Sequence, residues 1–187
     1  MKIGLDLDGV VANSLPRVIE VLDACFERKF APGDHFDLAR YYGVPREEIA
    51  LVITERAEDM FGRAELVEGA AAGIAALEKN GHEIIYITAR RDGWEEEVTC
   101  AWLERHGLDS RRLFCVSGGP KAEVVLAEGV DLFVDDFLRN AEQVSAVGVP
   151  VLLLDAFYNQ AADLPGVTRC MNWDDILRAV ATLARVS

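Results

Sequence analysis

Residues 2–9 of the chain read Lys-Ile-Gly-Leu-Asp-Leu-Asp-Gly. Alternating and mainly apolar side chains lead up to Leu7, which is typical of a short strand. The strand ends in two carboxylates, Asp6 and Asp8, and a glycine follows directly. Ionisable groups at the end of an apolar strand are costly to bury unless they have partners. The stretch therefore predicts a strand whose carboxyl end carries polar chemistry.

Four further apolar runs follow later in the chain, with helix-like stretches between them. Continuous apolar runs are typical of strands that are covered on both faces, as in parallel sheets. Strand and helix alternate from residue 69 onward, which predicts an α/β fold with a doubly wound, mainly parallel, Rossmann-like sheet. The predicted strands are Glu83–Thr88, Leu113–Val116, Leu132–Asp135 and Val151–Leu154, and the predicted helices are Gly69–Lys79, Trp94–His106, Lys121–Glu128, Leu138–Ala146 and Trp173–Ala184.

Residues 13–67 interrupt this alternation, because no run in them reads as a buried strand. The pattern predicts two helices, Pro16–Arg28 and Arg46–Phe61, joined by the aromatic- and Pro/Gly-containing connection Phe30–Pro45. An insertion of about 55 residues is too long for a simple connection between a strand and a helix. We therefore predict a core domain formed by residues 1–12 and 68–187, and a small helical cap formed by residues 13–67.

The composition narrows the class of protein. The 187 residues include 19 Lys and Arg against 32 Asp and Glu, which gives a formal net charge of −13. Such a surface repels a phosphate backbone, so we expect no nucleic-acid polymer as a partner. No apolar run approaches the roughly 20 residues that span a bilayer, and Asp6 comes too early for a signal peptide. We expect a cytoplasmic protein without a membrane partner, and the sequence predicts no particular oligomeric state.

Polar side chains collect at the ends of the predicted strands. In open α/β sheets, ligands bind beyond the carboxyl ends of the strands. Four carboxylates in one place raise each other's pKa, and a divalent cation relieves this repulsion. Oxygen ligands beside an anionic partner favour Mg²⁺ as that cation. The groups at the strand ends are Asp6, Asp8, Thr88, Arg90, Lys121, Asp135 and Asp136.

Four short motifs give the sequence a family resemblance, and they stand in chain order at Asp6–Val11, Ile87–Arg90, Lys121 and Val134–Asp136. Each motif alone is weak evidence. Together they resemble the four motifs of the haloacid dehalogenase-like hydrolases, and the insertion after the first motif resembles a helical cap of that superfamily. The short cap, the Thr88-Ala89-Arg90 motif and the closing helix at Trp173 are most similar to cytosolic 5'(3')-deoxyribonucleotidase-like proteins and their bacterial nucleotidase relatives.

The resemblance implies a role for each motif residue in phosphomonoester hydrolysis. Asp6 would attack phosphorus and become an aspartyl phosphate. Asp8 would protonate the leaving oxygen and then activate water, and an acid at this place favours phosphate esters within the superfamily. Thr88 would donate a hydrogen bond to the phosphoryl group, and Lys121 would offset its charge. The implied ligands of Mg²⁺ are Asp6, the backbone carbonyl of Asp8, Asp135 and Asp136.

The resemblance also implies a small phosphorylated metabolite as substrate, with a (deoxy)nucleoside monophosphate as the first candidate. Ala89 and Arg90 of the second motif are expected to contact it. Aromatic side chains of the cap could stack a nucleobase. The cap candidates Phe36, Tyr41 and Tyr42 cluster in the connection between the two predicted helices.

Simpler interpretations stand beside these assignments. Thr88 can cap the following turn, the Asp135-Asp136 pair can cap the following helix, and Arg90 can lie on the surface. A second enzymatic interpretation is a phosphatase for a sugar phosphate or another small phosphoester. An interpretation of a different class is a non-catalytic module that binds a metabolite or a protein on the same fold.

Overall fold

A computed structural model describes residues 1–31, 37–160 and 163–185 of the chain. Its strands are β1 (Lys2–Leu5), β2 (Ala12–Asn13), β3 (Glu65–Leu66), β4 (Glu83–Thr88), β5 (Leu113–Cys115), β6 (Leu132–Asp135), β7 (Val151–Leu154) and β8 (Val167–Cys170). Six of them form one sheet in the order β5-β4-β1-β6-β7-β8, and every pair in it is parallel. The short strands β2 and β3 pair with each other in antiparallel fashion outside this sheet.

Strand β1 lies in the interior of the sheet, and its side chains explain why. Ile3 is fully buried and pairs with Ile84 on one side and with Leu132 on the other. The next residue, Gly4, leaves space for the ring of Phe133, because a Cβ atom there would lie 2.9 Å from that ring. The buried, parallel sheet confirms the predicted α/β fold class.

Helices cover both faces of the sheet, and alternate residues of the strands face one set of helices or the other. On one face, Ile84 and Tyr86 of β4 pack with helix residues such as Ile74. On the other face, Ile85 and Ile87 pack with residues such as Val125. The helices are α1 (Leu15–Phe26), α2 (Leu38–Tyr42), α3 (Arg46–Glu55), α4 (Ala70–Lys79), α5 (Trp94–Arg105), α6 (Lys121–Ala127), α7 (Leu138–Ala146) and α8 (Trp173–Leu183), with a π-helical turn at Glu58–Gly62 and a 3₁₀ turn at Ser110–Arg112.

Helices α1 to α3 and the π-helical turn form the helical insertion, here defined as residues 14–62. Its members share an apolar cluster that includes Leu22, Ile49 and Met60 and is separate from the clusters of the sheet. The cluster gives these helices a common core, into which Val98 of α5 also packs. The division of the chain into a core domain and a cap at residues 13–67 stays a prediction.

Two predicted features of the insertion need correction. The second helix ends at Glu55 instead of Phe61, and the chain continues as a π-helical turn. The predicted connection contains the five-residue helix α2, so Tyr41 and Tyr42 lie on a helix. Helix α2 is defined by its two caps. At its start Asp37 Oδ1 accepts from the Arg40 N–H over 3.2 Å, and at its end Gly43 adopts a φ of 72°. A helix this short has no apolar repeat from which it could be predicted.

The sixth strand of the sheet, β8, was not predicted either. It lies at the edge of the sheet beside β7, and Thr168 and Arg169 at its centre are exposed. An edge strand needs little apolar character, so it lacks the continuous run that marks the buried strands. Within the described ranges, no helix is both long enough and apolar enough to cross a membrane.

Candidate active site

The candidate site lies at the carboxyl edge of the sheet, beside β1. The chain leaves β1, returns through β4 on one side of it and reaches β6 on the other side. Such a reversal of strand order opens a crevice in which α/β proteins bind ligands. Asp6 follows β1 directly, and Asp135 and Asp136 stand at the end of β6. All three are buried, and one carboxylate oxygen from each lies within 4.8 Å of the others.

Lys121 is the cation at the centre of this acidic cluster. Its Nζ lies 2.6 Å from Asp6 Oδ2 and 2.9 Å from Asp135 Oδ2, and its side chain is 1% exposed. Burial alone would lower the pKa of Lys121, but the Asp135 and Asp6 carboxylates outweigh burial and raise it. The lysine therefore stays charged. From its position as the first residue of α6, it contacts Asp6 of the first motif and Asp135 of the fourth.

One lysine does not neutralise three buried carboxylates. Burial is the largest influence on Asp6 and raises its pKa well above the usual range, against the opposing Lys121 ammonium. Burial, followed by the charge of Asp135, raises the pKa of Asp136 to about 7. Two acids that resist ionisation side by side indicate that the site lacks positive charge, which a bound cation would supply.

Three further polar residues hold the acidic pair of β6, and the sequence analysis did not identify them. Asn140 Nδ2 on α7 lies 3.2 and 3.1 Å from the two oxygens of Asp135. The Tyr158 hydroxyl donates to Asp136 Oδ2. Asn159 is buried, and its Nδ2 donates to the backbone carbonyl of Asp136 over 2.7 Å. These residues also follow strand ends. Each is an isolated polar residue outside any recognisable motif, so no sequence signal indicates it.

Asp8 faces Arg90 across the crevice. Arg90 Nη2 and Nε donate to Asp8 Oδ1 and Oδ2 over 2.7 and 3.0 Å. Burial would raise the pKa of Asp8, but the Arg90 guanidinium outweighs it and holds the pKa below its usual range. Arg90 is itself buried, so the interpretation of this residue as a surface arginine is wrong. Its predicted contact with substrate stays a prediction.

The other two residues of the second motif also lie at the site. Thr88 is fully buried at the end of β4, and its Oγ1 accepts from the Arg90 backbone N–H over 3.3 Å. The hydroxyl therefore does cap the following turn, and its own O–H is still a donor. Ala89 lines the cavity above the carboxylates. Their roles toward substrate stay predictions.

A cavity of about 280 Å³ opens above Asp6, Asp8 and Lys121. Its walls are mainly apolar and come from two sides, the helical insertion and the loops after β6 and β7. A second space of about 270 Å³ adjoins it beyond Asp8 and is lined by polar groups that include Arg91 and Ser117. The apolar walls of the first cavity are formed by Leu15, Val18, Leu38, Ile53 and Phe61 of the insertion, with Phe137 and Tyr158 opposite.

The predicted aromatic contacts of the cap do not reach this cavity. Tyr42 is buried in the core of the insertion, where its hydroxyl donates to Asp23 Oδ1 over 2.7 Å. The Tyr41 hydroxyl donates to the Lys29 backbone carbonyl. Neither ring lines the cavity. The helical geometry of α2 explains this, because it turns both rings toward the insertion, and Leu38 of the same helix lines the cavity instead. Phe36 lies outside the described residues.

A doubly wound sheet with carboxylates and a lysine at its reversal point is the arrangement expected from the resemblance to the haloacid dehalogenase-like hydrolases. Solved structures of this class share the fold. A family hydrolase of Deinococcus radiodurans, solved with bound phosphate and sodium, aligns with a TM-score of 0.64 over 98% of this chain and 95% of its own, at 19% identity.

Within this class, the sequence model of the family described as 5' nucleotidase, deoxy (pyrimidine), cytosolic type C protein matches residues 1–186. The chain belongs to this family, which confirms the resemblance, and it is a phosphomonoester hydrolase. It is 27% identical to the Bacillus subtilis protein named "putative nucleotidase YqfW", over 92% of this chain and 90% of that protein. A nucleotidase of Clostridium acetobutylicum is 24% identical over 98% and 95% of the two chains.

Proposed function

We propose that this protein is a Mg²⁺-dependent nucleotidase that removes phosphate from (deoxy)nucleoside monophosphates through an aspartyl phosphate on Asp6. The observation that carries the proposal is the buried cluster of Asp6, Asp135 and Asp136 around Lys121 at the floor of an apolar cavity. The cluster suits a phosphoryl group, and the cavity suits an apolar ring beside it. The family and the names of the relatives support a nucleotide over other phosphoesters.

The donor set fits Mg²⁺. The available ligands are carboxylate oxygens, which this ion prefers, and the raised pKa values of Asp6 and Asp136 are those of acids that need a cation. Asp135 already accepts hydrogen bonds from Lys121, Asn140 and Phe137. We therefore assign direct ligation to Asp6, Asp136 and the backbone carbonyl of Asp8, and give Asp135 the role of holding Lys121. When bound, the ion would offset charge on the carboxylates and the phosphoryl oxygens.

Hydrolysis then takes two steps on the residues of this chain. In the first, a carboxylate oxygen of Asp6 attacks phosphorus, and the bond from phosphorus to the ester oxygen breaks. Asp8, which Arg90 holds ionised before substrate binds, takes a proton from the solvent and gives it to the leaving alkoxide. In the second, water attacks the phosphorus of the aspartyl phosphate and gives a proton to Asp8. The bond to Asp6 breaks, phosphate leaves and Asp8 returns the proton to the solvent, so that both aspartates regain their starting states. Thr88 and Lys121 hold the phosphoryl oxygens throughout.

The helical insertion would serve as a cap that selects the substrate. Its side chains Val18, Leu38 and Ile53 form the wall of the cavity that faces the carboxylates. A nucleobase or sugar placed there would be shielded from water, whereas a free sugar phosphate would meet few polar partners on this wall. The wall therefore favours a nucleoside monophosphate over a sugar phosphate as substrate.

A substrate panel tests the proposal. The protein, freed of metal, is assayed with Mg²⁺ or with excess EDTA against nucleoside monophosphates, deoxynucleoside monophosphates and sugar phosphates. We expect hydrolysis only with Mg²⁺ and the highest kcat/KM for a nucleotide. Undiminished turnover in EDTA would contradict the metal role. A preference for sugar phosphates would reject the nucleotidase assignment and leave the phosphohydrolase assignment in place.

A further inference from the structure

The side chain of Asn159 holds the loop after β7 against the end of β6. Asn159 is 1% exposed. Its Nδ2 donates to the backbone carbonyls of Asp136 and Leu154, over 2.7 and 2.8 Å. Its Oδ1 accepts from the backbone N–H of Ala156 over 3.1 Å and from Arg169 Nη1 over 2.8 Å. These four contacts use both donors and both lone pairs of the amide, so they fix its position and its orientation.

Arg169 connects this amide to β8. Its Nη2 donates to the Asn159 backbone carbonyl over 2.8 Å, in addition to the contact of Nη1 with the side chain. Arg169 also forms an ion pair with Asp155 over 2.7 Å, at the start of the same loop. None of the four residues of β8 lines the cavity. The edge strand is therefore linked to the acidic cluster only through this loop.

Tyr158, the neighbour of Asn159, contacts the acidic cluster directly. Its hydroxyl donates to Asp136 Oδ2. Gly9 of the first motif packs against the same oxygen, because a Cβ atom at Gly9 would collide with Oδ2 and lie 3.1 Å from the Tyr158 hydroxyl. The Asp136 carboxylate is thus held at one oxygen, and it lines the cavity beside Asp6.

We propose that Asn159 and Tyr158 are positioning residues for a Mg²⁺ ion bound at Asp136. Asn159, which Arg169 holds, fixes the backbone at Asp136. Tyr158 fixes the rotation of the Asp136 carboxylate. The inference rests on the proposed role of Mg²⁺ in this site. Mg²⁺ demands near-ideal octahedral geometry, and hydrogen-bond partners that hold a ligand in its orientation raise the affinity for the metal.

A purely structural role for these contacts predicts a different result. Asn159 and Arg169 join the ends of three strands, so the loss of their hydrogen bonds lowers the stability of the fold whether or not an ion is bound. A structural role would lower the melting temperature of the metal-free protein and leave the Kd for Mg²⁺ unchanged. A positioning role would raise that Kd as well.

The test measures the Kd for Mg²⁺ from the rise in melting temperature of the metal-free protein as Mg²⁺ is added, at constant pH and without substrate. Tyr158→Phe keeps the ring and removes only the hydroxyl. We expect it to weaken Mg²⁺ binding about tenfold, the lower end of the effect for hydrogen-bond partners of metal ligands. Arg169→Met removes both contacts with Asn159 and should weaken binding about threefold or more, since it acts on the ligand through Asn159.

Two comparisons separate positioning from a general loss of stability. Arg112→Met removes an exposed ion pair with Glu83 at the opposite end of β4, so the Kd for Mg²⁺ should keep its wild-type value. In the double variant of Tyr158→Phe and Arg169→Met, the Kd should rise by less than the product of the two single effects, because Arg169 acts through the loop that carries Tyr158. If Arg169→Met does not fold, Arg169→Lys replaces it, since lysine keeps the charge and loses the two-point contact.

An unchanged Kd in a folded Tyr158→Phe variant, an equal rise in Arg112→Met, or a fully multiplicative effect in the double variant would each overturn the proposal. These results can be told apart from failure of the proposed function. A wild-type protein that binds no Mg²⁺ would contradict the metal role and this inference together. Mg²⁺ binding by a wild-type protein that hydrolyses no nucleotide would reject the nucleotidase, and the variants would still decide the roles of Tyr158 and Asn159.

Discussion

The protonation state of Asp136 affects the stability of the metal-free protein. It is 6% exposed and lies beside Asp135, and its pKa is raised to about 7. An unfolded chain would release the same proton near pH 4. Between these two values the folded protein binds more protons than the unfolded chain, so its stability falls as the pH rises. Asp6, whose pKa is also raised, acts in the same direction.

We predict that the melting temperature of the metal-free protein falls between about pH 5 and pH 8, because the folded state must lose these protons over that interval. Added Mg²⁺ should raise the melting temperature, and more at the higher pH, because it binds the ionised carboxylates. Asp136→Asn should flatten the pH dependence. The matched control is Glu123→Gln, because Glu123 is an exposed residue of α6. Calorimetry over the pH series measures the melting temperatures. A metal-free protein whose melting temperature rises toward pH 8 would contradict this prediction.

The sequence predicted the charged residues that cluster at the site better than the polar residues that hold them. Asp6 and Asp135 stand at the ends of apolar runs, where a polar residue is easily noticed, and Lys121 follows the short loop after the run Leu113–Val116. Tyr158 and Asn159 lie in the loop after β7, and their contacts with Asp136 depend on how that loop folds back. No local pattern indicates such a contact, so it required the structure.

Among the elements, α4 and α8 depend on one close approach. Trp173 at the start of α8 is buried, and its Nε1 donates to the Val10 backbone carbonyl over 2.9 Å, in the loop after β1. The ring lies directly against Gly73 in the middle of α4, where a Cβ atom would collide with it. The glycine is unfavourable for a helix by itself, and it is there because it admits the ring.

We predict that Gly73→Ala destabilises the protein by about 1–3 kcal/mol through overpacking, although alanine is the better helix former by about 1 kcal/mol. Denaturant unfolding of the single variant measures the loss. The control replaces the ring that lies against Gly73 with a smaller side chain. In a Trp173→Leu background, Gly73→Ala should be neutral or stabilising. A stabilised single variant would mean that α8 does not pack as described.

Elements with a repeating apolar pattern were predicted, and elements defined by their ends were not. The buried strands and helices α4 to α8 are marked in the sequence by continuous or periodic apolar side chains. Helix α2 depends on the capping residue Asp37 and on Gly43, and β8 is an exposed edge strand. The π-helical turn arises where the chain passes from α3 toward β3, and a break of this kind has no sequence period.

On the scale of the whole molecule, a strongly acidic protein must attract an anionic substrate locally. The net charge is −13, and the cations at the site are the buried Lys121 and Arg90. The cavity lies between the helical insertion and the sheet, so its walls combine side chains that are far apart in the chain. Which residues line the cavity therefore depends on the assembled fold, and the sequence could not indicate that Leu38 and Ile53 line it whereas Tyr41 and Tyr42 do not.

We predict that Ile53→Ala lowers kcat/KM for a nucleoside monophosphate roughly 5- to 30-fold, the equivalent of about 1–2 kcal/mol of apolar contact. The loss should nearly vanish for p-nitrophenyl phosphate, which needs little from the wall. Val52→Ala is the matched control, because Val52 precedes Ile53 on α3 and packs against the same core of the insertion without lining the cavity. Equal losses from both variants would assign them to packing and remove this wall from substrate recognition.

In the proposed reaction the phosphoryl group passes through Asp6, and this step can be tested directly. Its most direct test is acid quenching during turnover of a nucleoside monophosphate with Mg²⁺, followed by mass spectrometry of the peptide that carries Asp6. The aspartyl phosphate mechanism predicts one added phosphoryl group on Asp6 in the wild-type protein. It predicts neither this adduct nor turnover in a folded Asp6→Asn variant, since an amide is a poor nucleophile. Wild-type turnover by Asp6→Asn, or a phosphoryl group found on another residue, would contradict it.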